Sequence, residues 1–137
     1  IIGGGIIAYQ REAERILKQV QPIKHTVFCS IGEAALAKYI INSFLATKVV
    51  YMNEMAQLAD AQGYSWWRIS KLIETDPRIG NSHLQVPGPD GYYGFGGMCF
   101  PKDTNALVKY AGKLGVQLSV LKSAIKKNVL LRLQKPK

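Results

Sequence analysis

Ser30-Ile31-Gly32-Glu33-Ala34-Ala35-Leu36-Ala37-Lys38-Tyr39-Ile40-Ile41-Asn42-Ser43-Phe44-Leu45 leads into a run, Ala34 to Gln62, that contains neither proline nor glycine. The Ser30-x-x-Glu33 spacing is that of a capping box, in which each side chain bonds the other residue's backbone N–H, and it predicts a helix N-terminus. Leu36, Tyr39, Ile40, Ile41, Phe44, Leu45, Val49, Val50, Met52, Met55 and Leu58 then cover almost every face of one helix. A helix that is apolar all round must be buried all round. Lys38, Lys48 and Glu54 break it into runs far short of the ~20 residues that a membrane span requires. The expectation is a mainly α protein built on a central helix over residues 34–62, covered on one side by its own domain and on the other by a second subunit in a homodimer.

Lys38 and Asn42 are the polar exceptions on that helix, and their spacing of four puts them on the same side. Side chains of this kind usually snorkel or bond the backbone. They also suit a polar pocket, the cation holding an oxyanion and the amide a sugar hydroxyl. Upstream, Ile1-Ile2-Gly3-Gly4-Gly5 resembles the end of a buried strand running into a turn. Gly3-x-Gly5-x-x-Ala8 satisfies the loosest dinucleotide fingerprint, but its preceding strand is barely present and no ribose-binding acid follows about 20 residues later. A turn leading into a helix over residues 9–20 is the better reading, with Pro22 ending it and His25 to Cys29 forming a short strand. Cys29 then reads as a core residue.

Downstream, Gly63 closes the long helix and Ser65 is positioned to cap a shorter one through Ile73. Residues 75–101 form a long loop rich in Gly, Pro and Asn, with Pro87-Gly88-Pro89-Asp90-Gly91 as its clearest turn. Two further helices are expected, Asp103 to Leu114 and Leu118 to Leu133. The loop ends in Gly94-Phe95-Gly96-Gly97-Met98-Cys99-Phe100-Pro101-Lys102-Asp103-Thr104. Glycines let backbone amides approach a ligand closely. Cysteine is a strong nucleophile where a cation or helix N-terminus favours the thiolate. Asp103, four residues on, can serve as an acid/base group or orient water. A buried cysteine in a Gly-rich loop, with Asp103 capping a helix, accounts for the same residues. Spacing alone leaves both readings open.

Composition narrows the classes. A 47% hydrophobic fraction supports a real core. Cys29 and Cys99 lie far apart, and His25 and His83 are isolated, so no metal site is expected. With no secretory leader, both cysteines read as reduced thiols of a cytosolic protein. The net charge of +9 is concentrated: residues 1–101 carry nine Lys/Arg against eight Asp/Glu, while residues 102–137 carry nine against Asp103 alone. The cations at Lys102, Lys109, Lys113, Lys122, Lys126 and Lys127 have few aromatics between them, which favours a solvated helix face over a nucleic-acid surface. A field of this sign also favours an anionic small substrate.

Three signatures occur in the same order as in a known family. They are Ala34 to Tyr39 running into Asn42-Ser43-Phe44-Leu45-Ala46-Thr47-Lys48 and Asn53-Glu54, then Asp76-Pro77-Arg78-Ile79-Gly80, then Gly94 through Asp103. Together they resemble the UDP-glucose/GDP-mannose dehydrogenase family, and the match covers nearly the whole chain. The third is the most specific, close to G-F-G-G-S-C-F-P-K-D. The resemblance implies oxidation of the C6 alcohol of a nucleotide sugar to the uronate, as in polysaccharide biosynthesis, with two NAD reduced. It implies that Cys99 attacks the C6 aldehyde, that Lys38 stabilises oxyanions, and that Asn42 and Asp103 orient substrate and water. Arg78 would reach the neighbouring subunit's substrate, Leu84, Phe95 and Gly96 would contact the nucleotide sugar, and Lys102 would face NAD.

The same resemblance implies a fold. Residues 1–30 would be the end of an NAD-binding Rossmann domain, an α/β remnant. Residues 31–137 would be a central helical dimerisation domain like the C-terminal fold of 6-phosphogluconate dehydrogenase. Three departures stand beside it: Met98 replaces the usual Ser, Ala35 the usual Glu, and the loop from Leu84 to Gly94 looks longer than in the animal-type enzymes. A chain resembling the middle of such an enzyme is expected to be inactive alone, and a non-catalytic helical dimerisation module is the alternative reading.

Overall fold

The computed structural model describes residues 1–134, and the last three positions of the expected 31–137 domain lie outside the described residues. The elements run β1 (Ile2–Gly3), α1 (Ile7–Val20), β2 (Phe28–Cys29), α2 (Ile31–Ala61), α3 (Trp66–Ile73), α4 (Cys99–Lys113) and α5 (Ser119–Arg132). The described chain is mainly helical, as the sequence predicts. Its contacts divide it into two compact units, one of residues Ile1–Ile41 and one from Asn42 onward.

In the first unit, β1 and β2 pair in parallel with Ile2 opposite Phe28 and Gly3 opposite Cys29. The strand expected over residues 25–29 shrinks to its last two positions. Gln10 on α1 organises this unit. Its Nε2–H group lies 2.6 Å from the Cys29 carbonyl, 3.1 Å from that of Gly4 and 3.4 Å from that of Ile2. Cys29 is half-buried, its thiol 3.9 Å from the Ile2 carbonyl. The predicted capping box forms at the start of α2: Ser30 N–H donates to Glu33 Oε2 at 2.7 Å and Glu33 N–H to Ser30 Oγ at 3.2 Å. These bonds hold the Glu33 carboxyl below its ordinary range.

In the second unit, Ala46 and Val50 of α2, Phe95 of the Gly-rich loop, and Ala124 and Leu131 of α5 form the core, with Tyr93, Phe100 and Ile125 packed against it. Small residues at 46 and 124 let backbones approach, and Phe95 fills the remaining space. α2 ends as predicted, at Gly63 with φ +72°, where Tyr64 N–H bonds the Ala59 carbonyl at 2.9 Å. α4 ends the same way at Gly115. Its start differs from the expectation: the helix begins at Cys99, not at Asp103. Pro101 falls in the first turn, where a missing N–H breaks no helical bond, so the helix includes it.

The expectation that α2 is buried on every side is not met within this chain. Ser43, Ala46, Lys48, Val50, Met52, Asn53, Ala56 and Ala59 are buried, whereas Phe44, Tyr51 and Leu58 are 66%, 54% and 56% exposed. Among the described residues, no helix is long and apolar enough to cross a membrane.

Candidate functional site

The Gly-rich loop owes its shape to two buried asparagines. Asn53, on the buried face of α2, accepts a 3.0 Å bond from Gly94 N–H while its own amide donates to the Val49 carbonyl. Asn128 of α5 accepts from Phe95 N–H at 2.6 Å and donates to the Phe95 carbonyl at 3.0 Å. Gly94 adopts φ +73°, and a Cβ there would come within 2.3 Å of Asn128 Oδ1, so only glycine fits. One turn beyond Asn128, the Arg132 guanidinium pairs with Asp90 at 2.7 Å and lies 4.8 Å from the centre of the Tyr92 ring. It also closes on the face of Gly96, where an added Cβ would meet it at 2.9 Å. The pairing holds the Asp90 carboxyl below its ordinary range.

An open cavity of about 420 Å³ adjoins the loop. It is lined by His83, Gln85, Gly88 to Asp90 and Gly94 to Gly97, together with Val49 and Phe100. Of the residues predicted to contact a ligand, Phe95 and Gly96 line it. Leu84 is buried beside it, its carbonyl accepting from Trp66 Nε1–H at 3.0 Å. Cys99 is solvent-exposed at the first position of α4, between Gly97 and Phe100 of the cavity wall. The unpaired amides of a helix's first turn can donate to an anion held there.

Asp103, one turn after Cys99, is fully buried. An unpaired carboxylate at such depth would be strongly disfavoured. Asn42 Nδ2–H donates to its Oδ2 at 2.6 Å, across 61 positions of sequence, and the Lys102 ammonium pairs with Oδ1. Asn42, Lys102, Asp103 and the start of α4 are therefore brought together. Lys38 lies in the first unit, its ammonium 5.5 Å from the centre of the Tyr39 ring. Arg78 is elsewhere on the second unit. It pairs with Asp76 at 2.6 Å, depressing that carboxyl, and lines a depression on α2 with Phe44, Thr47 and Tyr51.

Asn128, His83 and Arg132 are parts of this site that the sequence motifs do not include, and Asn53 enters them only as part of a pattern. A signal existed for the asparagines. Asn128 continues the stripe Leu121, Ala124, Leu131, and Asn53 the stripe Ala46, Val50, so each is an amide where the periodicity calls for an apolar side chain.

A Cβ at Gly3 would meet that of Ala34 at 2.6 Å, and the Gln10 amide takes the Ile2 and Gly4 carbonyls. The turn leads into α1 and packs closely against the start of α2.

The sequence profile of the UDP-glucose/GDP-mannose dehydrogenase family, central domain, matches residues 32–129. A UDP-glucose 6-dehydrogenase of Rickettsia conorii (strain ATCC VR-613 / Malish 7) is 39% identical over 122 residues, covering 86% of this chain and 27% of that protein. One from Bacillus subtilis (strain 168) is 34% identical over 122 residues, with 88% and 27% covered. The structure of a UDP-glucose dehydrogenase from the hyperthermophilic archaeon Pyrobaculum islandicum superposes with a TM-score of 0.73 at 32% identity, covering 93% of this chain and 28% of that one. The chain thus spans little more than a quarter of the length of the curated relatives it matches.

Proposed function

The chain belongs to the UDP-glucose/GDP-mannose dehydrogenase family through its central domain, and on that premise we propose that it is the thiol-bearing segment of a cytosolic nucleotide-sugar 6-dehydrogenase. The substrate is UDP-glucose or a related UDP- or GDP-sugar, oxidised at C6 to the uronate. NAD, when bound, would supply the hydride acceptor for both oxidations; apart from Lys102, which we take to face it, this chain's residues act on the sugar.

The observation that carries the reading is the Asn42–Asp103 pair. A fully buried carboxylate, fixed by an amide from another helix and one turn from a cysteine at a helix N-terminus, is more than a cap requires. Cys99 Sγ adds to the C6 aldehyde to form a thiohemiacetal, whose oxidation leaves a thioester. Lys38 stabilises the oxyanions, as the family pattern implies, and the open amides of the first turn of α4 add donors. Asp103, held in one orientation by Asn42, positions the water that attacks the thioester carbon and releases the uronate and the thiol. The cavity beside Phe95 and Gly96 receives the sugar nucleotide, with Leu84 shaping its wall.

The same proposal extends to assembly. Phe44, Tyr51 and Leu58 recur every seven residues and are exposed, so they form one apolar stripe along α2. Arg78 lies in the depression beside Phe44 and Tyr51. A partner docked on the stripe receives that guanidinium, consistent with an arginine that serves the neighbouring subunit. Residues 1–30 are then the end of an NAD-binding Rossmann domain, and residues from 31 onward a dimerisation domain like that of 6-phosphogluconate dehydrogenase.

Cys99→Ser in the protein at its natural length tests the chemistry. Uronate formation should fall by at least about a thousandfold, because a serine hydroxyl is a far weaker nucleophile at neutral pH. Undiminished uronate production in that variant would overturn the assignment.

A further inference from the structure

Lys48 is the one charged residue among the buried positions of α2. Its Nζ–H donates to the Ile79 carbonyl at 2.8 Å, and among the described residues no other acceptor meets it. Burial opposes the charge and lowers the Lys48 pKa. An apolar side chain of the same length would incur no such penalty, so packing of α2 does not call for an ammonium here.

What the ammonium holds is a small rigid turn. The N–H groups of Ile79 and Gly80 both donate to the Asp76 carbonyl, at 3.0 and 3.1 Å, and Arg78 N–H donates to Asp76 Oδ1 at 2.9 Å. The Asp76 carboxylate also takes the Arg78 guanidinium, so that side chain moves with the turn. Among the described residues, the bond from Lys48 is the only hydrogen bond tying residues 76–80 to α2. Packing does little to place Arg78, whose side chain is 87% exposed. Lys48 and Arg78 are the two cations of one depression of about 260 Å³, beside Phe44 and Tyr51 of the exposed stripe.

We propose that Lys48 is a positioning residue: by holding the Ile79 carbonyl it sets the turn against α2 and fixes Arg78 for the substrate of the neighbouring subunit. This rests on the reading above, in which two subunits meet at α2 and Arg78 serves the partner's nucleotide sugar, and it adds the group that places the arginine. A partner docked on Phe44 and Tyr51 covers the depression, and the loss of water there strengthens the ammonium–carbonyl bond. The turn is therefore held hardest in the assembled protein, the state in which the arginine is used. Lys48 and Arg78 belong to one chain, and the thiol they serve belongs to the other.

The experiment uses the natural-length protein, with steady-state oxidation of UDP-glucose at pH 8. There the His83 ring, whose pKa burial and the Lys48 charge hold below 6.5, is neutral with or without that charge, so it does not carry the effect. Lys48→Met keeps the length of the side chain and removes the donor, while Lys48→Arg keeps a charged donor. The methionine variant should raise KM for UDP-glucose about tenfold, the size of one hydrogen bond to a charged group. Its kcat and melting temperature should be unchanged, and the arginine variant should recover most of KM. Mixed dimers, made by co-expressing differently tagged chains, give the direction. With Lys48→Met in one subunit and Cys99→Ala in the other, the one site with a thiol takes its arginine from the chain that retains Lys48, and KM should return to the wild-type value. Arg78→Ala in place of Lys48→Met is the control and should be rescued in the same way.

A KM that stays raised in the mixed Lys48→Met dimer, while the Arg78→Ala control recovers, would put the action of Lys48 in its own subunit and overturn the proposal. An unchanged KM in the Lys48→Met homodimer would overturn it as well, as would a lower melting temperature with no recovery in the arginine variant. Failure of the Arg78→Ala control to recover would instead remove the subunit-crossing arginine, and absence of UDP-glucose oxidation by the wild-type protein would remove the nucleotide-sugar reading itself.

Discussion

Truncating Asn128 to alanine would strand two buried backbone groups at once, the N–H and the C=O of Phe95. Both sit beside the core, where water does not replace the lost partner. An unsatisfied buried group costs about 1–3 kcal/mol, so Asn128→Ala should lower unfolding stability by roughly 2–4 kcal/mol. Chemical denaturation followed by tryptophan fluorescence measures it. A change within half a kcal/mol would mean that the loop holds itself without the clamp. The size of this effect contrasts with how quietly the residue sits in the sequence. Asparagine in a helix normally bonds its own backbone or faces water, and nothing local shows that its partner lies 33 positions away. Cys99 and Asp103 were legible because their spacing carries chemistry. Their supports were not, because a hydrogen bond to main chain leaves no pattern in the residue that receives it.

At the scale of elements, α2 was legible for the opposite reason: its signal is local, a capping box at one end, a glycine at the other, and apolar residues between. What periodicity could not supply is which faces the chain itself covers. Ala46, Val50, Asn53 and Ala56 turn towards the core, and Phe44, Tyr51 and Leu58 turn away from it. α4 starts at Cys99, four residues before the expected Asp103, because the first turn of a helix accepts Pro101. The exposed stripe makes its own prediction. Phe44→Asp should leave the helix content of the isolated chain unchanged, since that ring is 66% exposed. It should convert the proposed dimer to monomer, because a charge within an apolar interface is buried without a partner. Sedimentation at micromolar concentration, with far-UV circular dichroism as the folding control, reads both. A variant that sediments exactly as wild type would remove α2 as the interface.

For the molecule as a whole, the division at residue 41 separates two kinds of packing. The second unit has an apolar core of α2, α5 and aromatic loop residues, whereas the first is knitted by one polar side chain among very short strands. Length and composition told of a core but not of this division, because the two kinds of packing draw on the same residue types. Gln10→Ala should therefore act within the first unit alone. Removing the amide leaves the Cys29 carbonyl with the Gly4 N–H only and the Ile2 and Gly4 carbonyls without their side-chain donor. The loss is roughly 1–3 kcal/mol of local stability. Amide exchange at Ile2 and Gly4, which donate across β1 and β2 to Val27 and Cys29, should then accelerate about ten- to a hundredfold. Exchange at Gly94 and Phe95, held by Asn53 and Asn128, should stay at its wild-type rate. Equal acceleration at all four amides would show instead that the two units open in a single cooperative step.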